Sequence, residues 1–361
     1  MIDKTSFSSE WITAACERHA VTDPKVLERV IHAFALLEML ADSGLDFVFK
    51  GGTCIMLLFP GELKRMSVDI DIICPPGTDI APCLEKFREF GFTSIEQQSR
   101  EQPAGSDIPK GHAKLHYLMA FPQGRLYDSL YVQLDVLYEE CHYRQMEERA
   151  IQLDIWKSAG PDLAVRIPSI GDLMADKLTA FAPNTSGVPY IKNGEDNSVN
   201  VVKQLFDVGR LFNVVGDDIG TVAEVFRAIC PIELSYRGME CGIQDVCDDI
   251  RNTAMSLACQ EKDDETCATL TKAVQKFKNY LFHASAYNVP MATADAAKAA
   301  YLATAIQHGV SSIEHFSGPA GIPQAPDSFS DLLNSRLLKL KKSNPEAYFY
   351  WVKTAAILAK N

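Results

Sequence analysis

The chain has 361 residues, 47% of them hydrophobic and 23% charged, a balance that suits an ordinary globular protein with a sizeable core and room for two domains. Its formal net charge of −12 disfavours extensive binding along a nucleic-acid backbone, while leaving room for recognition of a single end through a basic patch. No apolar run approaches the length of a bilayer span and the N-terminus lacks the basic and apolar regions of a signal peptide, so a cytoplasmic protein without a membrane role is expected.

Residues 5–44 read as helical, with Leu27, Val30, Ile31, Phe34, Leu37 and Leu40 at helical spacing and Gly44 as the stop. A short strand over 46–49 follows, then Gly51-Gly52 and an apolar segment from Thr53 that reads as a buried helix. A strand, a glycine turn and a helix N-terminus bring unpaired backbone N–H groups and a positive dipole end to one point, which suits a phosphate. Glycine lets the backbone approach closely, and Thr53 could cap the helix or touch the phosphate.

In Ser67-Val68-Asp69-Ile70-Asp71-Ile72 the side chains alternate. Ser67, Asp69 and Asp71 share one face, and Val68, Ile70 and Ile72 share the other. Two carboxylates on one strand face repel unless a cation sits between them; the alternative for a bare Asp-x-Asp is a solvated strand face with two incidental acids. Hard oxygen ligands of this kind suit magnesium or manganese.

A helix is expected near 81–90, ended by Gly91, and the polar, Gly/Pro-punctuated stretch 93–114 reads as a hairpin loop or edge. Strands are expected over 114–121 and 131–137. In the second, Asp135 interrupts a strongly β-forming run, either as an exposed edge residue or as a functional acid. His112 and His116 read as surface or structural residues. Ten cysteines, none in a Cys-x-x-Cys pair, read as buried reduced thiols rather than zinc ligands or disulfides.

A strand near 165–169 leads to a helix reaching about Phe181, capped by Ser169 or Asp172, that carries Lys177, with Asp176 beside it expected at the surface. The turn-rich stretch 183–198 reads as a linker. In the next helix, 199–215, Lys203 and Asp207 lie one turn apart, as a surface ion pair or as part of a site. From residue 218 onward the chain reads as helices only, over 221–230, 243–259, 264–282, 292–308, 328–342 and 345–360. Arg336, Lys339, Lys341 and Lys342 form a basic cluster next to Tyr348, Phe349, Tyr350 and Trp351. A snorkelling helix face beside packed aromatics is preferred there over a nucleic-acid contact.

Lys50-Gly51-Gly52-Thr53, followed by Arg65-x-Ser67-x-Asp69-Ile70-Asp71 and a later helical Lys-plus-Asp pattern, resembles the DNA polymerase beta-like nucleotidyltransferase superfamily and, within it, the AbiEii/AbiGii abortive-infection toxins. The resemblance covers roughly the first 215 residues. It implies an α+β fold, a mixed sheet flanked by helices, with a nucleotidyltransferase domain over 1–195 and a helical domain over 196–361.

It further implies that Asp69, Asp71 and Asp135 hold Mg2+ or Mn2+, and that Lys177 and Asp207 join them in catalysis. Lys50, Gly51, Gly52, Thr53, Arg65, Ser67, Lys177 and Lys203 would hold an NTP. The implied reaction moves an NMP to an RNA end, a transfer RNA being the case suggested by related toxins, or to a protein hydroxyl; a separately encoded antitoxin is implied too. The sequence departs from the pattern at Gln204, where an acid is common, and in the 183–198 loop, where Lys192 is the only basic residue. Alternatives are a kinase-like phosphotransferase on the same scaffold and a catalytically silent nucleotide-binding module.

Overall fold

A computed structural model describes residues 1–59, 65–98, 110–121, 130–261, 263–282 and 287–360. The chain divides into two compact units, Met1–Ser169 with Lys278–Ala286, and Ile170–Phe277 with Tyr287–Asn361. The division expected near residue 195 therefore falls inside the second unit.

The first unit opens with α1 (Ser9–His19) and α2 (Pro24–Asp42). One continuous helix was expected here, but the chain turns through a left-handed residue at Ala20, and α2 starts anew at Pro24, with Asp23 accepting from the Lys25 N–H. Proline has no N–H to continue an earlier helix and its fixed φ suits a first turn. Leu27, Val30, Ile31, Phe34, Leu37 and Leu40 are all fully buried. Each such side chain contributes roughly 1.5–3 kcal/mol of burial.

The strands β1 (Val48–Lys50) and β2 (Ile70–Cys74) flank α3 (Gly51–Leu58) in sequence. Only α4 (Ala81–Leu84) forms in the region of the next expected helix. Then come β3 (Phe92–Gln98), β4 (Lys110–Tyr117) and β5 (Leu130–Tyr138), giving a five-stranded mixed sheet in the order β1-β2-β5-β4-β3. β2 and β5 run parallel, and the other pairs are antiparallel.

Part of the stretch expected as a loop is thus edge strand. An edge strand with one wet face carries polar residues such as Thr93, Ser94 and Glu96, so its composition imitates a loop. Ile70, Ile72, Val132, Leu134, Val136, Ala113, Leu115 and Tyr117 form the buried face, against which α2 packs. A second ribbon, β6 (Met146–Ala150) and β7 (Ala164–Pro168), lies beside β1.

The segment after residue 277 belongs to this unit. The Met66 N–H donates to the Tyr280 carbonyl at 2.7 Å and Arg65 bridges Leu281, so a distant piece of chain holds the residues that enter β2.

The second unit is built on α5 (Ile170–Ala180), a minimal hairpin of β8 (Ile191–Lys192) and β9 (Glu195–Asp196), then α6 (Ser198–Phe212), α7 (Gly220–Tyr236), α8 (Ile243–Cys259), α9 (Glu265–Phe277) and α10 (Val289–Gln307). It closes with α11 (Phe329–Leu332), α12 (Leu340–Ser343) and α13 (Pro345–Leu358). α7 continues through Pro231, beyond the expected end at residue 230, and buries Leu234 in the extension.

The expected linker is folded down. Asp249 accepts from the Asn184 N–H at 2.8 Å, from its side-chain amide at 2.7 Å and from the Thr185 hydroxyl at 2.9 Å. Tyr348, Phe349, Tyr350 and Trp351 are buried while Arg336, Lys339, Lys341 and Lys342 are exposed, as the packed-aromatic reading expects. All ten cysteines are free, and all but Cys141 and Cys241 are buried. Among the described residues no helix is long and apolar enough to cross a membrane.

Candidate active site

β1 ends at Lys50, whose extended backbone is the N-cap of α3, and Gly51 then takes φ +81°, a left-handed value that favours glycine. The first N–H groups of an α-helix have no partner within it, so those of α3 are available as donors to an anion. Thr53 is fully buried and its hydroxyl donates to the Asp69 carbonyl at 2.6 Å. It therefore ties the glycine turn to the acid-bearing strand and does not cap the helix.

The two glycines are explained by what lies against them. A Cβ on Gly51 would overlap the Asp71 carboxylate, and one on Gly52 would overlap the Arg65 guanidinium and come within 2.9 Å of the Ser67 hydroxyl. Arg65 is 5% exposed and also donates to the Met66 carbonyl at 3.3 Å. The structure thus brings Gly51, Gly52, Arg65, Ser67 and Asp71 together around one turn.

Strand register extends this cluster sideways. Lys50 pairs with Asp71, Asp71 with Asp135 and Asp135 with His112, so these four residues form a row across β1, β2, β5 and β4. Directly paired residues share a sheet face, opposite the one covered by α2. The Lys50 ammonium also lies 5.7 Å from the centre of the Tyr143 ring. Asp69, just before β2, is exposed, whereas Asp71 and Asp135 are half-buried.

His112, which reads from the sequence as a surface or structural residue, places its Nδ1 on Asp135 Oδ1, and the Gln133 amide reaches both Asp135 oxygens at 3.0 and 2.8 Å. Nothing local in the sequence marks His112 or Gln133. Their role depends on the register of β4 against β5.

Hard carboxylates on adjacent strands suit a divalent cation. Among the described residues no group of three or more His, Cys, Asp or Glu is gathered closely enough to hold one alone. Magnesium keeps several waters and takes one or two carboxylates together with substrate phosphates, so Asp71 and Asp135, paired in register on adjacent strands, fit the chemistry of such an ion. A carboxylate has about four lone-pair positions, so the three hydrogen bonds on Asp135 leave it capacity for a metal.

The remaining expected site residues lie in the second unit. Lys177 on α5 is 5% exposed, donates to Gln204 Oε1 at 3.2 Å and pairs with Asp176 at 3.8 Å. Asp176, expected at the surface, is thus that lysine's neighbour, and Gln204, the departure from the family pattern, is its hydrogen-bond acceptor. On α6, Asp207 is fully buried and Lys203 is half-buried. A fully buried acid is no member of a solvated surface pair.

A family model described as nucleotidyl transferase AbiEii toxin, type IV TA system, matches residues 35–264, more than half of the chain. Among solved structures, the MenT4 nucleotidyltransferase toxin of Mycobacterium tuberculosis is 15% identical, with a TM-score of 0.45, covering 84% of this chain and 94% of that one. The JHP933 protein of Helicobacter pylori is 14% identical, with a TM-score of 0.41, covering 80% and 94% respectively. No curated protein matches the chain.

Proposed function

Because the chain belongs to the AbiEii nucleotidyltransferase toxin family of type IV toxin–antitoxin systems, we propose that it transfers an NMP from an NTP to the hydroxyl of an RNA end, a transfer-RNA 3′ terminus, or of a protein. The family implies an NTP substrate and an antitoxin. Such a reaction belongs in the cytoplasm, where NTPs and both acceptors are found.

Asp69 and Asp71, with Asp135, would hold Mg2+ or Mn2+. Bound there, the ion would supply Lewis-acid stabilisation of the triphosphate's charge and a lower pKa for the acceptor hydroxyl, which would displace pyrophosphate at the α-phosphorus. The Gly51 and Gly52 N–H groups at the start of α3 would receive the β and γ phosphates, with Thr53 keeping that turn registered on the Asp69 strand. Arg65 and Ser67, stacked over Gly52, and Lys50, beside Asp71, would add positive charge and a hydroxyl donor. Lys177, Lys203 and Asp207 enter this reading on the family resemblance alone.

The observation that supports the reading best is the double fit of the turn, Gly51 against Asp71 and Gly52 against Arg65 and Ser67. Each motif residue occupies space that another leaves open, which an incidental Asp-x-Asp would not require.

The test incubates the purified protein with each α-labelled NTP, magnesium or manganese, total RNA and cell protein, beside Asp69→Ala/Asp71→Ala. Label moving to one macromolecule in the wild type alone is the expected result, and it names base and acceptor class together. Transfer of a γ-label with release of nucleoside diphosphate would favour the phosphotransferase. Metal-dependent NTP binding with no transfer would favour the silent module, and no binding at all would overturn the site.

A further inference from the structure

Asp135 is held by two residues that the family pattern does not name. His112 stands directly opposite it on β4, with 13% of the side chain exposed, and places Nδ1 on Oδ1. An ionised carboxylate only accepts, so Nδ1 carries the hydrogen and donates it. Gln133 lies two residues earlier on β5, hence on the same face, and turns its amide back onto both oxygens. Donors from two directions leave the Asp135 carboxylate one favoured orientation, next to Asp71 in the register of β2 and β5.

We infer that His112 is a positioning residue for the transfer reaction: together with Gln133 it presents the Asp135 carboxylate, already oriented beside Asp71, to the divalent cation. This rests on the reading that Asp69, Asp71 and Asp135 hold the metal. The physical gain is that no rotamer freedom of Asp135 is lost when the ion arrives, and that the histidine donor shares the carboxylate's charge when it is absent. A merely structural His112, tying β4 to β5, would affect stability and leave metal affinity alone.

The experiment measures Mn2+ binding by electron paramagnetic resonance on the intact protein and, in parallel, the metal dependence of transfer. His112→Ala is expected to weaken Mn2+ binding by about ten- to a hundredfold. It should lower the rate at limiting metal and leave the KM for NTP near the wild-type value at saturating metal. His112→Asn, whose amide can replace Nδ1 as donor, is expected to recover most of the loss.

Should the alanine variant not fold, His112→Gln replaces it, because its longer amide does not occupy the Nδ1 position. Unchanged Mn2+ affinity in the folded His112 variant, with binding lost in Asp69→Ala/Asp71→Ala, overturns the positioning role. Unchanged affinity in Asp69→Ala/Asp71→Ala overturns the metal site beneath it instead.

Discussion

Gly52 lies beneath Arg65, so close that a Cβ on its α-carbon would overlap the guanidinium and stand 2.9 Å from the Ser67 hydroxyl. Gly52→Ala therefore has to move Arg65 and Ser67. The guanidinium is the far end of a flexible side chain, and alanine improves helix propensity by about 1 kcal/mol, so the melting temperature should change little. Transfer should fall by about tenfold or more, because displacement of a binding group by about 1 Å is costly to catalysis. A fully active Gly52→Ala would remove Arg65 and Ser67 from the proposed site.

Gly51→Ala should be worse for stability. Its φ of +81° costs an L-residue roughly 1–2 kcal/mol, and the new methyl group meets the Asp71 carboxylate. Denaturant unfolding should show the loss, and Mn2+ binding should weaken with it. Wild-type Mn2+ affinity in this variant would separate Asp71 from the metal.

His32 supplies a pH dependence. Its ring stacks on Tyr117 with centroids 3.6 Å apart, and burial holds its pKa down to about 4 from 6.5. Between those values the unfolded chain binds a proton that the native protein does not. The stability associated with neutral His32 is thus complete above pH 6.5 and is lost as pH falls through about 4. A shift of that size corresponds to roughly 3 kcal/mol. Burial raises the carboxyls of Glu28 and Glu38, which act in the opposite sense, so the quantity to measure is the unfolding free energy of the wild type minus that of His32→Phe. This difference should rise from pH 4 to pH 7, and a flat difference would refute the assignment.

Lys298 is 3% exposed and lies 3.3 Å from Asp295 and 2.9 Å from Glu346, while the Tyr287 hydroxyl donates to Asp295 at 3.0 Å. Burial raises the Asp295 pKa to about 6 despite the lysine. The stability linked to that raised value is complete below the unfolded value of 3.8 and is lost as pH rises through about 6. Lys298→Met leaves a buried acid with less compensation and should cost about 3–5 kcal/mol near pH 8. At pH 5, where Asp295 takes up a proton, the cost should be smaller; urea titrations at the two pH values compare them.

The polar and apolar alternation around Asp69 and Asp71, the glycine turn and the helical spacing of Leu27 to Leu40 were legible because they are local. Each depends on a repeat of two or 3.6 residues, or on the backbone needs of one position. The break before Pro24 was equally local, but the apolar spacing on either side concealed it. The loop of Asn184 and Thr185 looked like a linker because its turn residues say nothing of the Asp249 carboxylate that receives them.

The sequence by itself determined the glycine turn and the shared face of Asp69 and Asp71, since period and spacing are properties of neighbouring residues, and it carried the resemblance, through those motifs together, that implies the family and its mixed α+β fold. Only the tertiary structure decided that His112 faces Asp135, that Gln204 receives Lys177 and that the segment of Tyr280 and Leu281 holds the entry to β2. These partners are separated by 23 residues in the first case and 27 in the second. Which of them meet is set by strand register and helix packing, where a slip of one residue would turn each side chain to the opposite face.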